Sequence, residues 1–435
     1  MLETILQLQN PHWDDKSYQN LFERSQFPAL VNKLKLKEVQ ILLGIRRSGK
    51  STLFKLLINH LLTKEVEGKS ILYLNLDDPL YAEIWPSSKL LYKVIESAEK
   101  LTGVKPVYLF LDEIQNVEAW ERFVKSVYDM EIFKKIFITG SNSSLLKSQY
   151  ATLLSGRYLI DYVMPLSFRE IIHNEGINTL LELVKAKPKI LRIMETLLYY
   201  GGFPEIWKTK EIELKREQLV SYYETILLKD CIANHKVRET KKLQELALYL
   251  LNNNATLFSY NGLSTLIESN ENTVKEFISI LENSFLIREI RQFSYSLKNQ
   301  SRARKKTYCV DNGLIHAVSL KFSENKGRLL ENLVYNELCK MKQEDIYFFN
   351  DQTECDFIVK VGKKYIPIQV TFELTNDNYD REVNGLKTAM KNLSAHSGYI
   401  ITFDSEEKVL DNNITIVPLW KFLFLVAPLE GNNVH

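Results

Sequence analysis

The stretch Val39-Gln-Ile-Leu-Leu-Gly44-Ile-Arg-Arg-Ser-Gly49-Lys50-Ser51-Thr52 decides the fold class of this chain. A short, mainly apolar run ends at Gly44, and Gly44 to Ser51 follow G-x-x-x-x-G-K-[ST]. Each position has a physical task. The two glycines let the backbone turn so that successive N–H groups point inward at phosphate oxygens. Lys50 is a point charge for β- and γ-phosphates, and the Ser51 hydroxyl is a Mg²⁺ ligand. Thr52 opens a helical pattern whose N-terminal dipole favours an anion. Gly44, Arg47, Ser48, Gly49, Lys50, Ser51 and Thr52 are therefore the candidate phosphate-binding set.

Working outward, four more runs share this short, two-sided apolar character: SILYLNLDD (70–78), VYLFLD (107–112), KIFITG (135–140) and RYLIDYV (157–163). Such runs, spaced widely enough for crossover helices, predict a doubly wound parallel α/β sheet. VYLFLD ends in Asp112-Glu113, which puts a carboxylate beside the loop at the carboxyl edge of the sheet. Asp112 is the candidate Mg²⁺ holder, with Ser51. Glu113 is the candidate base that orients the attacking water or accepts its proton. KIFITG ends in Ser141-Asn142. Asn142 or Ser141 could touch the γ-phosphate, and an N-cap for a helix beginning at Ser144 fits equally well. Arg157, after Gly156, could neutralise transition-state charge as an arginine finger. A surface arginine paired with a carboxylate is the alternative.

Composition narrows the function classes. With 45% apolar and 25% charged residues the chain reads as globular, and 435 residues suggest about three domains. Lys+Arg of 56 against Asp+Glu of 54 gives a formal charge of +2, so any basic surface must be local. Cys231, Cys309, Cys339 and Cys355 form no CxxC pair, which argues against zinc or a disulfide framework. No apolar stretch approaches the ~18 residues of a spanning helix, and the first residues lack a signal-peptide pattern. The expectation is a cytoplasmic protein without a membrane partner.

The spans expected are a P-loop ATPase core over 1–165, a helical lid over 166–240, a winged helix-turn-helix over 241–310 and a small α/β piece over 311–435. The third rests on KLQELALYLLNN, YNGLSTLIES and ENTVKEFISILENS, followed by the ribbon FLIREIRQFS and KKTYCVD. Its recognition helix carries Lys275 but also Glu271, Glu276 and Glu282, and would repel phosphates. Lys298, Arg302, Arg304, Lys305 and Lys306 crowd the ribbon tip, where a basic wing could track a DNA backbone.

Taken together, GIRRSGKST, YLNLDDP, LFLDEIQ, ITGSN, LSGR, PLSFRE, YYGGFPE, YYETILLKD and YCVDNGL resemble the prokaryotic AAA+-like ATPases that join an AAA_14-type domain to a DUF4143 domain. The resemblance spans nearly the whole chain. It implies ATP and Mg²⁺ as ligands, ATP hydrolysis, and a C-terminal part similar to PD-(D/E)xK nucleases. The nuclease pattern maps onto Glu331, Asp356 and Gln369, but Thr371 stands where the lysine should be. A threonine cannot supply the missing cation. The expected module is therefore degenerate, folded like a nuclease without cutting, with Gln369, Thr371 and Glu373 on one open strand face. The leading expectation is an ATP-driven switch acting with DNA, possible as a homo-oligomer. A slow regulatory ATPase docking a protein is the alternative, and an ATP-gated nuclease the third.

Overall fold

The computed structural model describes residues 2–143, 154, 156–319, 326–341, 345–410 and 413–425. The chain divides into two compact units, residues 1–164 with 283–285, and residues 165–282 with 286–435. Among the described residues no helix is long and apolar enough to cross a membrane.

The first unit is built on five parallel strands: β1 (Val39–Leu43), β2 (Ile71–Asn75), β3 (Tyr108–Asp112), β4 (Lys135–Gly140) and β5 (Tyr158–Tyr162). Their order is β2-β3-β4-β1-β5. Strand alternation sends successive side chains to opposite faces. Val39, Ile41, Leu43, Leu109 and Leu111 enter one core with the helices Leu2–Gln9, Leu90–Thr102 and Trp120–Asp129. Leu42, Tyr108, Phe110 and Phe137 enter the other with the helices Phe27–Lys33 and Lys50–Thr63. Both faces are thus covered, which is why the sequence shows continuous apolar runs rather than alternation. His12 lies fully buried in this unit, with Nε2 3.0 Å from the Ile71 carbonyl oxygen. Burial lowers its pKa to about 4, against the opposing Ile71 contact.

The second unit begins with helices, among them Phe168–Asn174, Lys187–Tyr200 and Ile212–Thr225. The helix Asn312–Val318 packs on the last two. Its cap Asp311 takes the N–H groups of Gly202 (2.7 Å) and Gly313 (2.8 Å) on its two carboxylate oxygens. A Cβ at Gly201 would fall 1.6 Å from an Asp311 oxygen. The glycine pair of YYGGFPE and the aspartate of YCVDNGL are one structural device.

Three helices follow, Thr240–Asn252, Tyr260–Leu266 and Glu271–Asn283, and then the antiparallel pair β6 (Ile287–Arg291) and β7 (Lys305–Cys309). A short helix, Leu297–Arg302, joins the two strands. The last sheet has the order β12-β13-β11-β10-β9-β8. Its strands are β8 (Ile346–Asn350), β9 (Glu354–Val361), β10 (Lys364–Val370), β11 (Gly398–Thr402), β12 (Lys408–Leu410) and β13 (Ile414–Pro418). The helices Lys326–Lys340 and Asn376–Leu393 lie against it.

Candidate functional site

The glycine loop follows β1 and enters the helix Lys50–Thr63. Gly44 is required by proximity, since a Cβ there would sit 2.0 Å from the Val163 carbonyl oxygen. Gly49 is required by conformation, with φ 102°, and Arg47 is also left-handed at φ 66°. This backbone turns N–H groups toward one concavity, an anion-binding arrangement. The Ser48 hydroxyl is buried beneath it with no hydrogen-bond partner among the described residues. Arg47 is exposed, whereas Ser51 and Thr52 are half-buried in the first helical turn.

Lys50 is 3% exposed and donates to the carbonyls of Gly44 (3.0 Å) and Ile45 (3.1 Å). Its ammonium lies 3.5 Å from Glu113. Gln115 donates to the other Glu113 oxygen at 2.5 Å and also to Ser141 at 3.2 Å. The Asp112 carboxylate accepts from Tyr73 at 2.8 Å and from Thr139. Thr139 also accepts the Glu113 N–H at 2.9 Å, so β4 locks both acids of β3 in place.

The two carboxylates are pushed apart electrostatically. Burial raises the Asp112 pKa, with Glu113 adding to it, against the nearby hydroxyls of Ser51, Thr139 and Tyr73, which favour the carboxylate. Burial would raise Glu113 as well, but Lys50 and Arg46 outweigh it and hold the group below its ordinary value. An ionised glutamate beside a phosphate-binding lysine is suited to general-base work. Ser51 and Asp112 present hydroxyl and carboxylate oxygens, the hard donors that Mg²⁺ takes. With the left-handed loop and the buried Ser48 hydroxyl, the residues fit a magnesium–nucleotide complex.

Asn142 is buried just beyond the carboxyl end of β4, beside the loop, because β4 pairs with β1. The helix expected from Ser144 lies outside the described residues. Arg157 is a correction. It precedes β5, and its carbonyl accepts the Val39 N–H at the start of β1. In a parallel sheet that is the amino edge, roughly 13 Å of strand from the loop after Leu43 at ~3.3 Å per residue. Its guanidinium pairs with Asp129 at 3.0 Å, so the surface ion pair is the observed arrangement and a finger acting on its own chain's loop is excluded. Sequence reading missed Arg24, which donates to the carbonyls of Ser48 (2.6 Å) and Met164 (2.7 Å) and so braces the loop. It also missed Arg46, paired with Asp77 at 3.1 Å, together with Tyr73, Thr139 and Gln115.

The second unit holds a cavity of about 830 Å³ lined by Lys306, Glu331, Glu354, Asp356, Gln369 and Thr371, among others. Glu331, Asp356 and Gln369 do converge there. Two expectations fail. Lys305 and Lys306 are not wing residues but buried members of β7. Lys305 donates to the carbonyls of Gln300, Ser301 and Ala303. Lys306 ion-pairs with Glu354 (2.6 Å), Glu331 (2.9 Å) and Asp356 (3.6 Å). Lys298, Arg302 and Arg304 are exposed, on or next to the connecting helix. Nor is Thr371 on an open face. It follows the end of β10, is buried, donates to the Glu373 carbonyl (3.0 Å) and accepts from Asn378 (3.2 Å). Strand alternation therefore stops before Glu373. Burial would lower the Lys306 pKa, but Glu331, Asp356 and Glu354 together raise it above its ordinary value.

A family model described as an AAA domain matches residues 36–172, and two domains of unknown function match residues 191–326 (DUF8612) and 326–422 (DUF4143). The chain is 30% identical over 409 residues to the uncharacterized protein MJ1544 of Methanocaldococcus jannaschii, covering 90% of this chain and 89% of that one. An uncharacterized protein of Haemophilus influenzae is 29% identical over 350 residues, covering 79% and 85%. Similar solved structures include Aeropyrum pernix ORC1 in complex with DNA, at 13% identity and TM-score 0.31 over 68% of this chain and 91% of that one. Cdc6p from Pyrobaculum aerophilum is 13% identical at TM-score 0.29, over 70% and 94%. At such scores neither informs the assembly or ligands of this protein. Motif geometry, domain order and full-length identity agree: the chain belongs to the AAA_14/DUF4143 family of AAA+-like P-loop ATPases.

Proposed function

We propose that the chain hydrolyses ATP at the Gly44–Thr52 loop and uses the cycle as a conformational switch in the cytoplasm. The observation that carries this is the joining of the two motifs through the Lys50–Glu113 pair at 3.5 Å, with Thr139 holding both Asp112 and Glu113 at the loop. In this reading Lys50 balances charge on the β- and γ-phosphates. Ser51 and Asp112 would hold Mg²⁺, which when bound neutralises phosphate charge. Glu113, kept ionised, orients water and takes its proton as the water oxygen bonds to the γ-phosphorus and the bond to the ADP oxygen breaks. Asn142, at the same sheet edge, is the candidate contact for the γ-phosphate or that water.

A slow resting rate is favoured by one feature. Both Glu113 oxygens are engaged, by Lys50 and by Gln115, so the base must be freed before it can act. A partner would then control turnover. With Lys305 and Lys306 buried, DNA contact falls to Lys298, Arg302 and Arg304, and any finger role for Arg157 is one played in another copy's site. The test is ATP turnover with and without double- and single-stranded DNA at two salt concentrations. A DNA-dependent rise lost at high salt supports a nucleic-acid partner, because phosphate contacts are screened. A rate unaffected by DNA at both salts favours the protein-docking alternative.

A further inference from the structure

The acidic cavity of the second unit is already neutralised from within. Glu331 reaches it from the helix Lys326–Lys340, and Glu354 and Asp356 from β9. Lys306 comes from β7, where pairing with Ile290 on β6 fixes its register, and only 2% of it is exposed. An ammonium has three N–H donors and no acceptor. Here three carboxylates surround Nζ at 2.6, 2.9 and 3.6 Å, and Glu331 accepts a hydrogen bond from it.

Two of the carboxylates are also oriented independently of the lysine. Asp356 accepts the Val370 N–H (2.8 Å) on its other oxygen, and Glu331 accepts from the Tyr308 hydroxyl (2.6 Å). Glu382, the remaining buried acid of the cavity, is taken by Gln369 (2.6 Å) and Arg381 (2.5 Å). Among the described residues no three such ligands close on a metal-sized point. That follows from their spacing, since an ammonium holds carboxylate oxygens at hydrogen-bond distance and a divalent ion draws them to roughly 2.0–2.6 Å.

We propose that Lys306 is the resident cation of this cavity, standing where a divalent ion would be held by Glu331, Glu354 and Asp356, and that its removal opens a divalent-cation site. The tether explains how a cluster of two buried carboxylates, Glu331 and Asp356, with the exposed Glu354 at its rim, persists without metal, and it makes the cavity metal-independent in the intact protein. The inference is independent of the ATPase reading.

The test uses the nucleotide-free, full-length chain and Mn²⁺, following free Mn²⁺ by electron paramagnetic resonance and protein melting by calorimetry. Wild type and Lys306→Arg should show no Mn²⁺ binding that depends on Asp356. Lys306→Met should bind one equivalent at least about tenfold more tightly than wild type, a gain of about 1.4 kcal/mol or more. That equivalent should vanish in Lys306→Met/Asp356→Asn, and Mn²⁺ should raise the melting temperature of Lys306→Met alone. Should Lys306→Met not fold, Lys306→Met/Glu354→Gln carries one carboxylate fewer and the same expectation. A wild type that takes up an Mn²⁺ lost in Asp356→Asn overturns the proposal. So does a folded Lys306-less variant that binds Mn²⁺ no better than wild type.

Discussion

Replacing Glu113 with glutamine separates two roles that the structure gives one carboxylate. It restrains Lys50 at 3.5 Å, and it is the candidate base. At an effective dielectric of ~20, a pair at that distance has a gross attraction of about 5 kcal/mol. Desolvation of two buried charges consumes most of it, leaving a net restraint of about 1–2 kcal/mol. Lys50 keeps its contacts to the Gly44 and Ile45 carbonyls, so Glu113→Gln should fold. Once released from the glutamate, Lys50 reaches phosphate at lower cost. Nucleotide affinity should therefore rise about 5- to 30-fold. Hydrolysis should fall about 10²–10⁴-fold, because the amide keeps shape and hydrogen bonding but cannot accept the proton.

Titration with a fluorescent ATP analogue gives the first quantity, and single-turnover phosphate release the second. Lys50→Ala, which should bind no measurable nucleotide, is the control. Hydrolysis by Glu113→Gln at the wild-type rate would remove Glu113 as the base. Affinity unchanged or weakened would show that Lys50 need not leave the glutamate to engage phosphate.

Three further outcomes are expected. Mixing Arg157→Ala with Glu113→Gln protein should restore part of the turnover if Arg157 completes a neighbouring copy's site; no rescue, or full activity of a strict monomer, rules that out. His12 titrates near 6.5 unfolded and at about 4 folded, so the unfolded chain binds the extra proton in between. The first unit should hold this stability above pH 6.5 and lose up to about 3 kcal/mol as pH falls to 4. Urea unfolding of wild type and His12→Gln would show the slope flattening in the variant, and parallel slopes would refute the assignment. Finally, neither Mg²⁺ nor Mn²⁺ should support cleavage of plasmid or oligonucleotides, with or without ATP. Metal-dependent cutting abolished by Asp356→Ala would revive the nuclease reading.

The nucleotide site was legible because its chemistry is local in sequence. Gly44, Gly49, Lys50 and Ser51 lie on one loop, and Asp112-Glu113 ends an apolar strand, so residue type and strand direction suffice to bring them together. The supporting residues left no such trace. Tyr73 and Thr139 sit inside apolar runs, and their value depends on which strands are neighbours: Thr139 reaches both acids because β4 lies beside β3. Arg24 precedes the loop without a motif. Arg157 is different, since the contrary signal was present. A residue that precedes a strand of a parallel sheet lies at the edge opposite to a loop that follows one. Direction along the strand, rather than proximity to a glycine, decides its place.

Lys306 is buried although it lies in a basic run of the ribbon. The run Arg304-Lys305-Lys306 reads as a solvated tip because isolated buried cations are costly. That inference fails when three carboxylates arrive from elsewhere in the chain. Glu331 is separated from Lys306 by 25 residues, and Glu354 and Asp356 lie further on. Strand alternation does the sorting: Lys305 and Lys306 point oppositely, one to the carbonyls of the connecting helix and one to the acids. A positive charge thus stands at Lys306, ion-paired with Glu331, Glu354 and Asp356. A cation so placed is held by the acids around it, and that charge balance is what lets it stay buried.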